Sequence, residues 1–224
     1  MSKRRRGTLV AALAGLAGLF AVTLPSGTAM AHGAYVNPAS RSYACYQNAL
    51  QDNGALDPSN PACQEVLNQE GNYPFYNWFS NLISDVGDRQ RGEEHFHSSI
   101  PDGRLCGPTE RFSAFNMART DWPTTEIPSG ATVDFRWQAW AAHPGWFYQY
   151  VTKPGWNPNQ KLSWNDLELF YVSDHPPLNG SAPYGMYEWN AKVPERSGRH
   201  IIYTIWERSD SPEAFFSCSD VYFE

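Results

Sequence analysis

The sequence predicts a mainly β protein, an antiparallel β-sandwich with helical and irregular segments in its first half. Three observations carry this. Five stretches of the second half are rich in Val, Ile, Phe, Tyr and Trp: ATVDFRWQAWAAH from residue 131, WFYQYVT from 146, LELFYVS from 167, MYEWNAKV from 186 and RHIIYTIWER from 199. Clusters of Gly, Pro, Asn and Asp separate them, which is the signature of many short strands joined by turns. The first half, to about Thr125, lacks that pattern.

The irregular half holds two helix candidates. PACQEVLNQEG (Pro61 to Gly71) has Pro near its start and Gly at its end, as helices prefer. PFYNWFSNLIS (Pro74 to Ser84) is the second. No repeat or low-complexity linker divides the chain, and a single domain is expected.

The first residues read differently. Lys3 to Arg6 are basic, an apolar run follows from Leu9 to Leu24, and Pro25-Ser26-Gly27 leads to Ala29-Met30-Ala31. That is the three-part layout of a secretory signal with a small-x-small cleavage site. The apolar run is short for a spanning helix, which needs about 20 residues. The expected arrangement is a signal peptide over 1–31 and a single domain over 32–224, secreted and extracellular. The Arg pair before Gly7 leaves both the general and the twin-arginine export routes open.

Composition excludes some partners. The whole chain has a formal charge of −6, and the signal carries only Lys and Arg, so the mature chain is more acidic still. An acidic surface disfavours nucleic acid and anionic membranes. It suits a neutral polymer, and a monomer is expected. Four cysteines in an exported chain read as two disulfides. Cys45 and Cys63, close in sequence and both near the N-terminus, are paired, and Cys106 is paired with Cys218.

Cleavage after Ala31 makes His32 the first residue. A histidine at a free N-terminus offers two nitrogen donors, its α-amine and ring Nδ1. The amine loses its proton more easily than a lysine does, at about pH 7.7–8.0. One further imidazole would complete an all-nitrogen set of the kind that suits Cu(II). The candidates are His95, His97, His143, His175 and His200; His143, between a strong strand and a Pro-Gly turn in WAAHPGW, falls on a loop at one edge of the sandwich. His95 and His97 in EEHFHSS would share a face on a strand, but without a third ligand they read as surface residues. His175 and His200 have no partner in sequence.

Taken in order, HGAYVNPASRSYAC, YNWF, PDGRLCG, WAAHPGWFYQYVTKPGW, SGRHIIYTIWERSDS and FFSCSDV carry a recognisable pattern. The chain resembles the copper-dependent lytic polysaccharide monooxygenases of auxiliary-activity family 10, once called chitin-binding proteins. The resemblance covers all of 32–224. It implies an immunoglobulin/fibronectin-III-like sandwich with a long, partly helical insertion between early strands. It implies one copper ion held by His32, through amine and Nδ1, and by His143 through Nε2. Phe215 matches the aromatic residue at one axial position, Ala141 the small residue at the other, and Glu213 a carboxylate beside the metal.

The activity implied is oxidative cleavage of β-1,4 glycosidic bonds in a crystalline polysaccharide, with an external electron donor and O₂ or H₂O₂. Hydroxylation beside the linkage breaks it by elimination, so no carboxylate pair flanking a sugar is required. Chitin with C1 oxidation is the expected substrate and position; cellulose is the alternative. A non-catalytic chitin-binding protein is the reading from another class, and it would need no free His32. An exported zinc hydrolase would need a motif such as H-E-x-x-H, which is missing. Tyr73, Tyr76 and Trp78 are the candidates for gripping sugar, with one of Tyr76 and Trp78 expected in the core beside Phe75 and Phe79.

Overall fold

The computed structural model describes residues 32–224, so the expected signal segment over 1–31 lies outside the described residues. Ten strands form the body: β1 (His32–Asn37), β2 (Leu82–Ile83), β3 (Thr125–Ile127), β4 (Thr132–Ala141), β5 (Gly145–Thr152), β6 (Leu167–Asp174), β7 (Leu178–Asn179), β8 (Gly185–Lys192), β9 (Gly198–Arg208) and β10 (Ala214–Phe223). One sheet has the order β1-β4-β8-β7 and the other β2-β10-β9-β5-β6, with β3 on the far end of β10. Pairing is antiparallel except between β3 and β10. The fold is the expected sandwich.

Two hydrophobic cores share the second sheet. Alternate residues of β9, Ile202 and Trp206, face the first sheet together with Tyr35, Phe135, Trp137, Phe147 and Phe215. Their neighbours Ile201, Tyr203 and Ile205 face a helical layer containing Phe75, Phe96, Phe112 and Trp122. A strand covered on both faces has no polar side to show. That is why RHIIYTIWER reads as a run rather than an alternation.

The helical layer is the long insertion between β1 and β3. It contains α1 (Arg41–Ala49), α2 (Pro61–Glu70), α3 (Tyr73–Tyr76) and α4 (Glu94–Ser99). The first helix candidate matches α2: the Asn60 side chain caps its start and Gly71, at φ +67°, ends it. The second does not hold. Only Tyr73–Tyr76 is helical, because the Asn77 amide bonds back to the Tyr73 carbonyl and closes the turn. The Phe79 carbonyl then accepts from the Gly33 amide at 2.9 Å, and Leu82 and Ile83 pair with β10.

Two motifs near the N-terminus have direct physical roles. Ser40 caps α1, and Arg41 is buried with its Nε 2.6 Å from Asp220 on β10. This ion pair ties the insertion to the sheet, and Asp220 also accepts from Arg199 at 3.2 Å. Gly33 is required by its neighbours: a Cβ there would press on Trp137 Nε1 and the Gln138 carbonyl, well inside van der Waals contact. Gly33→Ala should therefore lower stability by about 1–3 kcal/mol, as overpacking does. Chemical denaturation checks this.

Both disulfides form as expected, Cys45–Cys63 and Cys106–Cys218. Among the described residues no helix is long and apolar enough to cross a membrane.

Candidate metal centre and surface

Four chain segments meet at one edge of the sandwich. β1 starts there with His32, whose register partner on β4 is Ala141. Two residues further, His143 sits in the β4–β5 turn. β9 ends there with Arg208, opposite Gly145. β10 begins there, so that Phe215 pairs with Trp206. The hairpin register thus brings Ala141, His143, Arg208, Glu213 and Phe215 to the end where His32 lies.

His143 is held from three sides. The Tyr187 hydroxyl donates to its carbonyl oxygen at 2.7 Å. Its Nδ1 lies 2.8 Å from Asp210 Oδ2 and 2.8 Å from Arg208 Nη2. Desolvation alone would raise the Asp210 carboxyl, but the hydrogen bonds from Arg208 and His143 outweigh it and bring the group to about 2. A carboxylate at Nδ1 favours the tautomer with the proton there, which leaves Nε2 as the metal donor.

Arg208 also donates from Nη1 to Glu213 Oε2 at 2.8 Å, and both side chains are buried. One guanidinium therefore holds Asp210 and Glu213 together, and Asp210 in turn orients the histidine. Phe215 is fully buried and stacks on Trp206 with ring centroids 4.8 Å apart. A phenyl ring offers no ligand atom.

The donor chemistry fits copper. Among the described residues, no carboxylate or thiol joins the two histidines to make a three-donor set; the one such set lies elsewhere. Asp210 and Glu213 are engaged by Arg208. A chain that began at His32 would add its α-amine to the two imidazoles.

The aromatic candidates divide. Tyr73 and Tyr76 are exposed at 38% and 43%. The Tyr76 hydroxyl donates to the Gly54 carbonyl at 2.6 Å, and Arg111 lies over the Tyr73 ring at 4.3 Å. An open groove runs from His32 past Asn77 and Ser80 to Tyr73 and Arg111. Trp78 is a correction. It is buried among Tyr43, Tyr46 and Phe79, because the chain leaves the helix at Asn77 and turns this ring inward. It presents no face to a ligand.

The exposed indole is Trp140, which the sequence reading passed over. It is 38% exposed and stacks on Phe79, with centroids 4.3 Å apart and planes at 12°. Phe79 in turn meets the His32 ring edge-on at 5.5 Å. The strand period held this signal. Phe135, Trp137 and Ala139 point inward, so Trp140 is on the outward phase of β4. Arg208, at the end of β9 directly after Glu207, was also missed.

Residues 32–221 match a family model described as lytic polysaccharide mono-oxygenase, cellulose-degrading. The chain belongs to this family. Lytic polysaccharide monooxygenases of this type use a single copper ion as cofactor. The chain is 45% identical to a lytic cellulose monooxygenase of Streptomyces ambofaciens over all of its length and 63% of that protein's. It is 35% identical to a chitin-binding protein, CbpD, of Pseudomonas aeruginosa, over 91% of this chain and 50% of the relative. The chain thus spans half to two-thirds of the length of these relatives. Among solved structures it is similar to the cellulose-active monooxygenase CelS2 in complex with copper, at TM-score 0.79 and 48% identity, covering 86% of this chain and 99% of that one. A chitin-utilisation monooxygenase of Cellvibrio japonicus gives TM-score 0.69 and 32% identity, covering 86% of this chain and 100% of that one.

Proposed function

We propose that this chain is an exported copper monooxygenase that oxidatively cleaves β-1,4 linkages in a crystalline polysaccharide, with cellulose as the substrate and C1 as the position. The observation that carries the reading is the joining of two features at one edge: His32 and His143 beside an Arg208-held acid, and an exposed Trp140 stacked on Phe79 next to His32. A copper ion bound there would supply one-electron redox chemistry with an oxygen cosubstrate, drawing electrons from an external donor.

The protein's part is positioning. Asp210 fixes the His143 ring through Nδ1. Arg208 orients the Glu213 carboxyl beside the site. Trp140, Tyr76 and Tyr73 give sugar rings an apolar face to rest on.

Cellulose is preferred over the chitin expected from the motifs because the 45% and 48% identical relatives are the cellulose-named ones. Chitin stays as the second reading, favoured by the 35% identical CbpD. Mass spectrometry of soluble products from cellulose and from β-chitin, with copper and ascorbate, tests both. Aldonic acids of cello-oligosaccharides are expected. Oxidised products from chitin alone would overturn the substrate, and no oxidised product from either would overturn the activity.

Glu213→Ala should keep copper affinity and the Cu(II) electron paramagnetic resonance spectrum nearly intact. Polysaccharide oxidation should fall by about a hundredfold, as when a proton-handling group is lost. An unchanged rate would reduce Glu213 to a partner that steadies Arg208.

A further inference from the structure

Outside the copper centre, one group of side chains is built like a second metal site. Glu207 precedes Arg208 on β9, and the strand alternation points it to the opposite face, toward the helical layer. There it meets His95 of α4 and Asp88 of the preceding loop. One donor atom from each residue can be chosen so that all three lie within 4.8 Å of one another. His95 Nε2 is 3.5 Å from Glu207 Oε1, and His95 Nδ1 is 3.8 Å from Asp88 Oδ2.

The 3.5 Å between His95 Nε2 and Glu207 Oε1 suits a shared cation; the 3.8 Å contact to Asp88 is on the other ring nitrogen, so Asp88 would close in from within 4.8 Å. Ligand atoms about 2.1 Å from one ion at a tetrahedral angle stand about 3.4 Å apart. His95 and His97 are two apart on a helix, not a strand, so they point to different sides. His97 instead stacks on Trp164 at 4.2 Å.

Two atoms of the group, Glu207 Oε2 and His95 Nε2, are buried without a hydrogen bond, with the Tyr148 side chain also close to Glu207. Glu207 has no solvent exposure, its Oε1 accepts from the Asp88 amide at 3.0 Å, and its Oε2 has no hydrogen-bond partner. His95 Nε2 is also buried and unpartnered. An unsatisfied buried carboxylate oxygen and imidazole nitrogen are costly unless something bridges them. Burial, with the Asp88 charge adding to it, pushes the Glu207 carboxyl up to about 8. Asp88 is half exposed and opens the group to solvent, which gives an ion a way in.

We infer that Asp88, His95 and Glu207 form a second divalent-metal site, of the mixed nitrogen and oxygen type that zinc takes, separate from the copper centre. Filling it would displace the proton of Glu207 and clamp the loop at Asp88 to β9. That loop already reaches the segment carrying Glu213, since the Gly87 amide donates to the Pro212 carbonyl at 2.8 Å. The ion would therefore stiffen the 209–213 turn without touching the copper. The inference rests on these residues alone and stands whether or not the proposed activity does.

Titrating zinc into the copper-loaded protein, followed by calorimetry and native mass spectrometry, tests it. Wild type should take up one further equivalent while its copper electron paramagnetic resonance signal is unchanged. His95→Ala and Asp88→Asn, both at partly exposed positions, should weaken zinc uptake at least tenfold and leave the copper signal alone. His97→Ala should bind zinc like wild type. Glu207→Gln, if it folds, should behave like His95→Ala. The inference is overturned if wild type takes up no zinc beyond its copper, or if His95→Ala takes up as much as wild type.

Discussion

A chain that begins one residue before His32 should lose tight copper binding, by about a hundredfold or more. The extra residue turns the α-amine into an amide, whose nitrogen has no lone pair to give. Losing even an outer partner of a ligand costs about 10–100-fold in metal affinity, so losing a donor should cost more. His143→Ala should go further and abolish binding, because only one residue of the pair remains. Folding should survive both changes, since His32 opens an edge strand and His143 sits in a turn. Calorimetric copper titration of the two forms beside the exact His32 chain decides the matter. Equal affinity of the extended chain would remove the amine from the ligand set.

The second large effect is on stability. The Cys106–Cys218 bridge closes a loop with a sequence separation of 112 and joins the helical layer to β10. The chain-entropy model gives such a loop about 4–5 kcal/mol, an upper figure where the unfolded chain retains structure. Replacing both cysteines with alanine should therefore cost several kcal/mol and lower the melting temperature by about 10 °C. The Cys45–Cys63 pair closes a much shorter loop, with a separation of 18, and its loss should cost less. Denaturation of the two double variants ranks them. The reverse order would mean that native packing, rather than loop closure, sets their worth.

Strands β4, β5, β6, β8 and β9 were legible in the sequence because a sandwich writes its burial as period-two or continuous apolar runs, whereas β1, β2, β3, β7 and β10 were not among the stretches read. Helix α1 was not, since its buried positions include Arg41 and Ser42 and its face carries no apolar period. Its stability comes from Asp220, far along the chain, and such a pairing leaves no local trace. His32 and His143 could be singled out from chemistry and motif. Arg208 could not be given a role without knowing that β9 ends beside the β4–β5 turn. Trp78 and Trp140 show the same limit. Both are tryptophans in aromatic segments, and only the turn at Asn77 and the phase of β4 tell which ring is buried. The helix around His95 was not read, because a segment of six residues has no periodicity to detect.

The sheet containing β9 belongs to both cores, and this bears on how the molecule comes apart. Neither the helical layer nor the first sheet can peel away without stripping one face of β5, β9 and β10. The molecule has no internal seam along which a stable half could remain. Unfolding should be a single cooperative transition, with the slowest hydrogen exchange in those three central strands. Damage at the outer helices would then be felt at the copper edge as a loss of whole molecules, not as a gradual loosening of the site.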